Sequence, residues 1–215
     1  MTEEWIHPPS SAQLHGDEPF IGLDAHVRDF WSFAMSNLRT NNVRGYLAEF
    51  LVARAVGATD IRVEWDAFDV LTNDGVKVEV KSAGYLQTWS QRRLSRISFG
   101  SMKGRTWSPE AGESPEATLN ADVYVFAIHT ATRHEDYDVL DLGQWEFYVA
   151  GRTAIEATGY SSIGMPTLRT LTEGPVPYGE LGDAISECAR RDALPAGQVD
   201  PFGGARSDRP HAHGG

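Results

Sequence analysis

Residues Phe68 to Lys81 constrain the fold more than any other stretch of this chain. Phe68-Asp69-Val70-Leu71-Thr72 and Val76-Lys77-Val78-Glu79-Val80-Lys81 are alternating runs, and Asn73-Asp74-Gly75 separates them. Alternation on both sides of a glycine-bearing turn predicts a β-hairpin. Turn length then decides where every side chain points, because a slip of one residue exchanges the two faces. A two-residue turn, Asp74-Gly75, would pair Asp69 with Val80 and point it away from Glu79. A three-residue loop, Asn73-Asp74-Gly75, pairs Asp69 with Glu79 and sets Lys81 diagonally beside them. The second register gathers Phe68, Val70, Val76, Val78 and Val80 on one face, so burial of apolar surface favours it. Gly75 suits the left-handed position that such a loop needs.

A chain of 215 residues with 41% hydrophobic content and six tryptophans is expected to form one domain with a real core. No apolar run has membrane-spanning length, and the acidic, polar N-terminus does not read as a signal peptide. Cys188 is the lone cysteine, which excludes an internal disulfide and fits a cytoplasmic location. The formal charge of −11 argues at first against a nucleic-acid partner. Its distribution qualifies this. Ser82 to Pro109 contains no acid, while Arg92, Arg93, Arg96, Lys103 and Arg105 supply positive charge. Such a stretch directly after Lys81 reads either as a solvated basic loop or as a hold on a phosphate backbone.

Residues 1–20 are polar and proline-containing and are expected to be poorly ordered. A first helix is predicted over 23–38, with Val27, Phe30, Trp31, Phe33 and Ala34 as its apolar stripe. Asn41-Asn42 offers an N-cap for a second helix over 43–56, stopped by Gly57. Ile61, Val63 and Trp65 alternate with Arg62 and Glu64 as a first strand, and the hairpin supplies the next two. A helix near 88–96 and a loop over 108–120 are expected, then a central strand over 121–129 (ADVYVFAIH). A strand over 145–150, a short helix near 153–157 and a closing helix over 178–191 complete an α/β domain spanning 21–192. The Gly/Pro/Asp/Arg/His tail over 193–215 is expected to be disordered.

Two carboxylates and a lysine on one hairpin face suit a divalent cation acting on a phosphodiester. Two or three carboxylates are the usual protein share of a Mg²⁺ site, and water and phosphate fill the other positions. Asp69 and Glu79 would be direct ligands, with the Val80 carbonyl as another oxygen donor. Lys81 would orient the attacking water or stabilise charge on phosphate. Glu-x-Lys alone is a weak signal, and lysine at a strand end is often a snorkelling surface residue. Glu49 adds a third acid within the apolar helix Gly45-Tyr46-Leu47-Ala48-Glu49-Phe50-Leu51-Val52. A carboxylate there is costly unless it is metal-bound, paired with Arg44 or Lys81, or exposed on a helix edge.

Asp69, then Glu79-Val80-Lys81, preceded by a helix bearing Gly45-Tyr46-Leu47-Ala48-Glu49, resembles the PD-(D/E)xK, or restriction-endonuclease-like, nuclease superfamily. The resemblance covers about residues 42–129. It implies a mixed β-sheet flanked by helices in α-β-β-β-α-β order and Mg²⁺-dependent phosphodiester hydrolysis, with Mn²⁺ as a substitute, usually of DNA. By that match Asp69 and Glu79 are metal ligands, Lys81 is the catalytic lysine and Glu49 is the accessory acid of the first helix. The chain departs from the pattern in having Phe68 where a literal motif has proline, and the helix between strands three and four is poorly marked.

Gln87 and Gln91 resemble an accessory glutamine found after the lysine in several nuclease branches, where either would contact a base edge, a phosphate or water. A polar loop is the alternative. Tyr85 and Trp89 would stack on unpaired bases, although aromatics in such a segment more often anchor the core. His129, His134, Glu135, Asp136 and Asp138 have no ligand-motif spacing and read as an acidic turn. Cys188 reads as a core residue of the last helix. Glycine-rich phosphate-loop spacing is absent. The sequence therefore predicts a nuclease acting on nucleic acid, with a homodimer as one route to cutting both strands. The alternative is a non-catalytic binding or assembly module of the same fold.

Overall fold

A computed structural model describes residues 13–59, 62, 67–108 and 111–193. Helix α1 (Val27–Met35) is followed by α2 (Asn41–Ala55), the strands β1 (Val70–Leu71) and β2 (Lys77–Gly84), and three short strands, β3 (Ser98–Phe99), β4 (Trp107–Ser108) and β5 (Gly112–Glu113). Then come β6 (Val123–His129), β7 (Trp145–Gly151), α3 (Arg152–Thr158), β8 (Ile163–Gly164), α4 (Met165–Leu171) and α5 (Leu181–Ala193). The main sheet has the order β1-β2-β6-β7. The β2–β6 pair is parallel and the other two are antiparallel, so this is a mixed sheet flanked by helices.

The hairpin adopts the three-residue register. Val70 pairs with Val78 and Leu71 with Lys77, which continues to Asp69 opposite Glu79. Gly75 has φ +83°, and its N–H donates to the Thr72 carbonyl at 2.9 Å. Val70, Val78 and Val80 are buried as expected. Phe68 departs from that row and packs with the cluster on the opposite face. Asp69 N–H still donates to Val78 O at 3.0 Å, and the Phe68 ring lies 5.5 Å from Lys77 Nζ.

Strand β6 is buried along its whole length. Its odd-numbered residues Val123, Val125 and Ala127 join Val78, Val80 and Phe147 beneath Ala48 and Val52 of α2 and Leu181, Ile185 and Cys188 of α5. Its even-numbered residues Tyr124, Phe126 and Ile128 pack with Phe99, Ile155, Ile163 and Leu168 on the other face. Period-two alternation with helices on both sides is what a central strand requires. The helices α2 and α5 approach closely at Gly182, where a Cβ would stand 2.3 Å from the Ala55 carbonyl oxygen.

Four expectations need correction. Helix α1 is shorter than 23–38 and buries none of its residues. Its partner is the preceding segment: Glu18 O accepts from Val27 N–H and Gly16 O from Arg28 N–H, both at 3.0 Å. Residues 13–20, expected to be poorly ordered, are thereby tied to it. No helix forms over 88–96, because the glutamine amides of that segment satisfy its backbone groups in a loop form. The stretch expected as a loop over 108–120 instead carries most of the β4–β5 ribbon, in which Trp107 pairs with Glu113 and Ser108 with Gly112. The expected strand at Ile61, Val63 and Trp65 and the tail from 194 lie outside the described residues. Among the described residues, no helix is long and apolar enough to cross a membrane.

Candidate functional site

The candidate site is built at the level of Glu79 on β2, just beyond the β1 pairing. Asp69 stands just before β1. Its Oδ2 accepts the Val80 N–H at 2.7 Å, so the main chain of β2 fixes the carboxylate of the neighbouring strand. Glu79 and Lys81 are two residues apart on β2 and share a face, and Lys81 Nζ donates to Glu79 Oε1 at 2.5 Å. Glu49 reaches the group from α2, and its Oε2 accepts from Arg62 Nε at 2.5 Å. The Arg62 guanidinium lies 4.6 Å from the centre of the Tyr46 ring.

Asp69 raises both other acids, and burial raises all three. Burial pushes the Glu79 carboxyl above its ordinary value, repulsion from Asp69 adds to the rise, and Lys81 opposes it. Burial likewise raises Asp69, against the Val80 hydrogen bond and the charges of Lys81 and Arg62. Glu49 is raised by burial and then by Asp69, with Arg62 pulling it down and Glu79 adding a smaller rise. Desolvated carboxylates crowded together at a cleft make this cluster a candidate functional site.

Asp69 and Glu79 line a cavity of about 150 Å³ together with Ser101, Arg105 and Asn120. Ser101 holds φ +53°, an unfavourable backbone region for a residue with a side chain. Asn120 is fixed by its Nδ2, which donates to Gly104 O at 3.1 Å, and by the Thr118 hydroxyl, which donates to its Oδ1 at 2.9 Å. A neighbouring hollow of about 460 Å³ is also lined by Asn120 and adds Lys77 and Arg152. Arg152 is oriented by the carbonyls of Ala121 and Leu119, both at 2.9 Å.

The donor set fits a hard divalent cation as a pair. Two carboxylates that repel each other are relieved by a cation that takes its remaining oxygens from water and phosphate. Among the described residues, no three histidine, cysteine, aspartate or glutamate side chains are grouped closely enough to hold a metal by themselves. Glu49 stands apart in its pairing with Arg62, and Val80 contributes its N–H to Asp69.

The predicted nucleic-acid contacts divide. Arg105 lines the acid cavity and pairs with Glu113 at 3.0 Å. Arg92, Arg93 and Arg96 surround an open hollow with Trp89, some distance along the loop from that cavity. Lys103 is exposed. Gln87 and Gln91 are turned inward, contrary to a base or phosphate contact. Gln91 Oε1 accepts the Gln87 N–H at 2.7 Å, and the two side-chain amides donate to the Gly84 and Tyr85 carbonyls and to Ser95 Oγ. His129 is buried and stacked on Tyr137, whereas His134, Glu135 and Asp136 form an exposed helical turn.

Sequence reasoning missed Ser101, Asn120, Lys77 and Arg152. Gly100-Ser101 marks a turn and Lys77 lies on the predicted hairpin, but neither position carries a signal for a cavity lining. No family model and no curated protein matches the chain.

Proposed function

We propose that this chain is a divalent-metal-dependent nuclease of the restriction-endonuclease-like kind, acting on DNA. The observation that supports it best is the meeting of Asp69, Glu79 and Lys81 on one hairpin face, with Glu49 in electrostatic contact and a cation-lined groove beside them. The helix α2, the hairpin β1–β2 and the parallel neighbour β6 correspond to part of the core that such enzymes use. The helix expected in the crossover from β2 to β6 is replaced here by loops and short ribbons.

Asp69 and Glu79 would hold Mg²⁺ or Mn²⁺. When bound, that ion polarises the scissile phosphate and lowers the pKa of water. The remaining work falls to the chain. Glu79 holds the Lys81 ammonium, which would orient the attacking water and stabilise charge developing on phosphate. The Val80 N–H fixes Asp69, so its free oxygen is presented without reorganisation. Lys77, Arg105 and Arg152 would take the flanking phosphates, which position the strand without reading its sequence.

The test is cleavage of supercoiled plasmid and single-stranded DNA with Mg²⁺, Mn²⁺ or EDTA, comparing the parent with Lys81→Ala. Metal-dependent nicking that the variant lacks, with an unchanged circular dichroism spectrum, is the expected result. Equal cleavage by the two proteins would sink the mechanism. No cleavage by the parent, together with no heat of Mn²⁺ binding, would leave the binding or assembly module.

A further inference from the structure

The loop over 85–96 contains a feature that the acid site does not use. Trp89 is 57% exposed, whereas Tyr85 at the start of the same loop packs partly against the core. Large exposed aromatics are often recognition surfaces when rigid groups hold them outward. Here the support is the inward glutamine network. Ser95 N–H donates to Tyr85 O at 2.9 Å and closes the loop, and Ser95 Oγ accepts from both Gln87 and Gln91. The loop is therefore set in shape before any partner arrives.

Arg92, Arg93 and Arg96 share an open hollow of about 540 Å³ with Trp89. Arg28, Arg62, Arg105, Arg133 and Arg191 each meet a carboxylate. Among the described residues these three arginines form no such pair. An exposed indole ringed by unneutralised guanidinium groups matches the chemistry of a single polynucleotide strand. Bases stack on the ring and phosphates meet the cations. A duplex keeps the faces of its bases covered by their neighbours, so it offers the ring nothing to stack on except at a frayed end. The loop begins directly after β2, and Lys81 lies three residues of strand, about 10 Å, before Gly84.

We infer that the loop over 85–96 is a clasp for a single polynucleotide strand, which it delivers to Asp69, Glu79 and Lys81. The inference rests on the nuclease reading for its destination and on the loop alone for its binding. Its test is accordingly a binding assay in EDTA, using full-length Lys81→Ala protein, which does not depend on cleavage. Fluorescence anisotropy is recorded with dye-labelled 12-nucleotide DNA and RNA single strands and with the matching DNA duplex.

The expected result is tighter binding of a single strand than of the duplex. Adding Trp89→Ala should weaken the single strand by about 5- to 150-fold, the loss of one stacked base, and leave the duplex unchanged. Trp89→Phe should restore most of the affinity. Arg92→Ala with Arg93→Ala should weaken all strands and lower the salt slope by about two, one for each lost phosphate contact. Whichever of the DNA and RNA strands binds more tightly identifies the source. Equal single-strand affinity with and without Trp89, or an equal loss on duplex, overturns the clasp. Neither outcome bears on whether Lys81 is needed for cutting.

Discussion

Replacing Asp69 by Asn should stabilise the metal-free protein while abolishing the proposed nuclease activity. Asparagine keeps the shape and can still accept the Val80 N–H through its amide oxygen. It removes the charge that pushes up both Glu49 and Glu79. Cross-strand neighbours place their Cβ atoms about 5 Å apart. Two like charges at that separation repel by about 3 kcal/mol at an effective dielectric near 20. Lys81 and Arg62 already offset much of this, because both pull the Asp69 carboxyl down. A net gain of about 1 kcal/mol remains, typical of a substitution that relieves a functional site. For a chain of this size that raises the melting temperature by about 2–4 °C.

The pH dependence fixes the sign. A carboxyl whose folded value is raised binds its proton more readily in the folded chain than in the unfolded one. Stability is then lost as pH climbs from the unfolded value through the folded value, and the penalty is absent in acid. The gain from Asp69→Asn should therefore be full at pH 7 in EDTA and shrink as pH falls toward 4. Saturating Mn²⁺ should raise the parent's melting temperature and leave the variant where it was. Differential scanning fluorimetry across pH reads all of this. A variant no more stable than the parent at pH 7 in EDTA, or a gain undiminished in acid, would refute the electrostatic account of the site.

Gly182→Ala should lower stability by about 1–3 kcal/mol in urea unfolding, because its methyl group must displace the Ala55 carbonyl at the α2–α5 contact. Cys188, with its thiol pushed up to about 11 by burial, should stay unmodified by a thiol reagent at pH 8 in the folded protein and react fully in urea. Fast labelling of the native protein would contradict its place in the core.

The parts of the fold that the sequence makes legible are those where one local rule decides the outcome. The loop Asn73-Asp74-Gly75 and the valine row allow one good register, and that register brings Asp69 to Glu79. The unbroken apolar run ending at His129 has to be a strand covered on both sides. Cys188 follows from its position on an amphipathic helix. Long-range competition hides the rest. Phe30 and Phe33 look like core residues, yet α1 is held by Gly16 and Glu18. Gln87 and Gln91 look like outward readers, but their amides close a loop. Asn120 and Arg152 join the acid cavity and its groove only because the crossover returns beside the hairpin, which no spacing along the chain encodes. Trp89 ran against the usual burial of tryptophan for the same reason, since the braced loop and not the residue type sets its exposure.

The two acids sit on one tight hairpin, whereas the loop, ribbons and arginines that surround them belong to the long crossover over 85–122. Closing a loop becomes only about 0.6 kcal/mol harder for each doubling of its length. Residues can therefore be gained or lost in the exposed turns between the crossover's core anchors Ile97, Phe99, Met102 and Ala121 at little energetic cost, while the spacing of Asp69 and Glu79 is held by a three-residue turn. The architecture separates what must stay fixed from what is free to vary. On the proposed reading, a lineage built on it would acquire new substrates by remodelling the turns of a single connection, with the acid pair left unaltered.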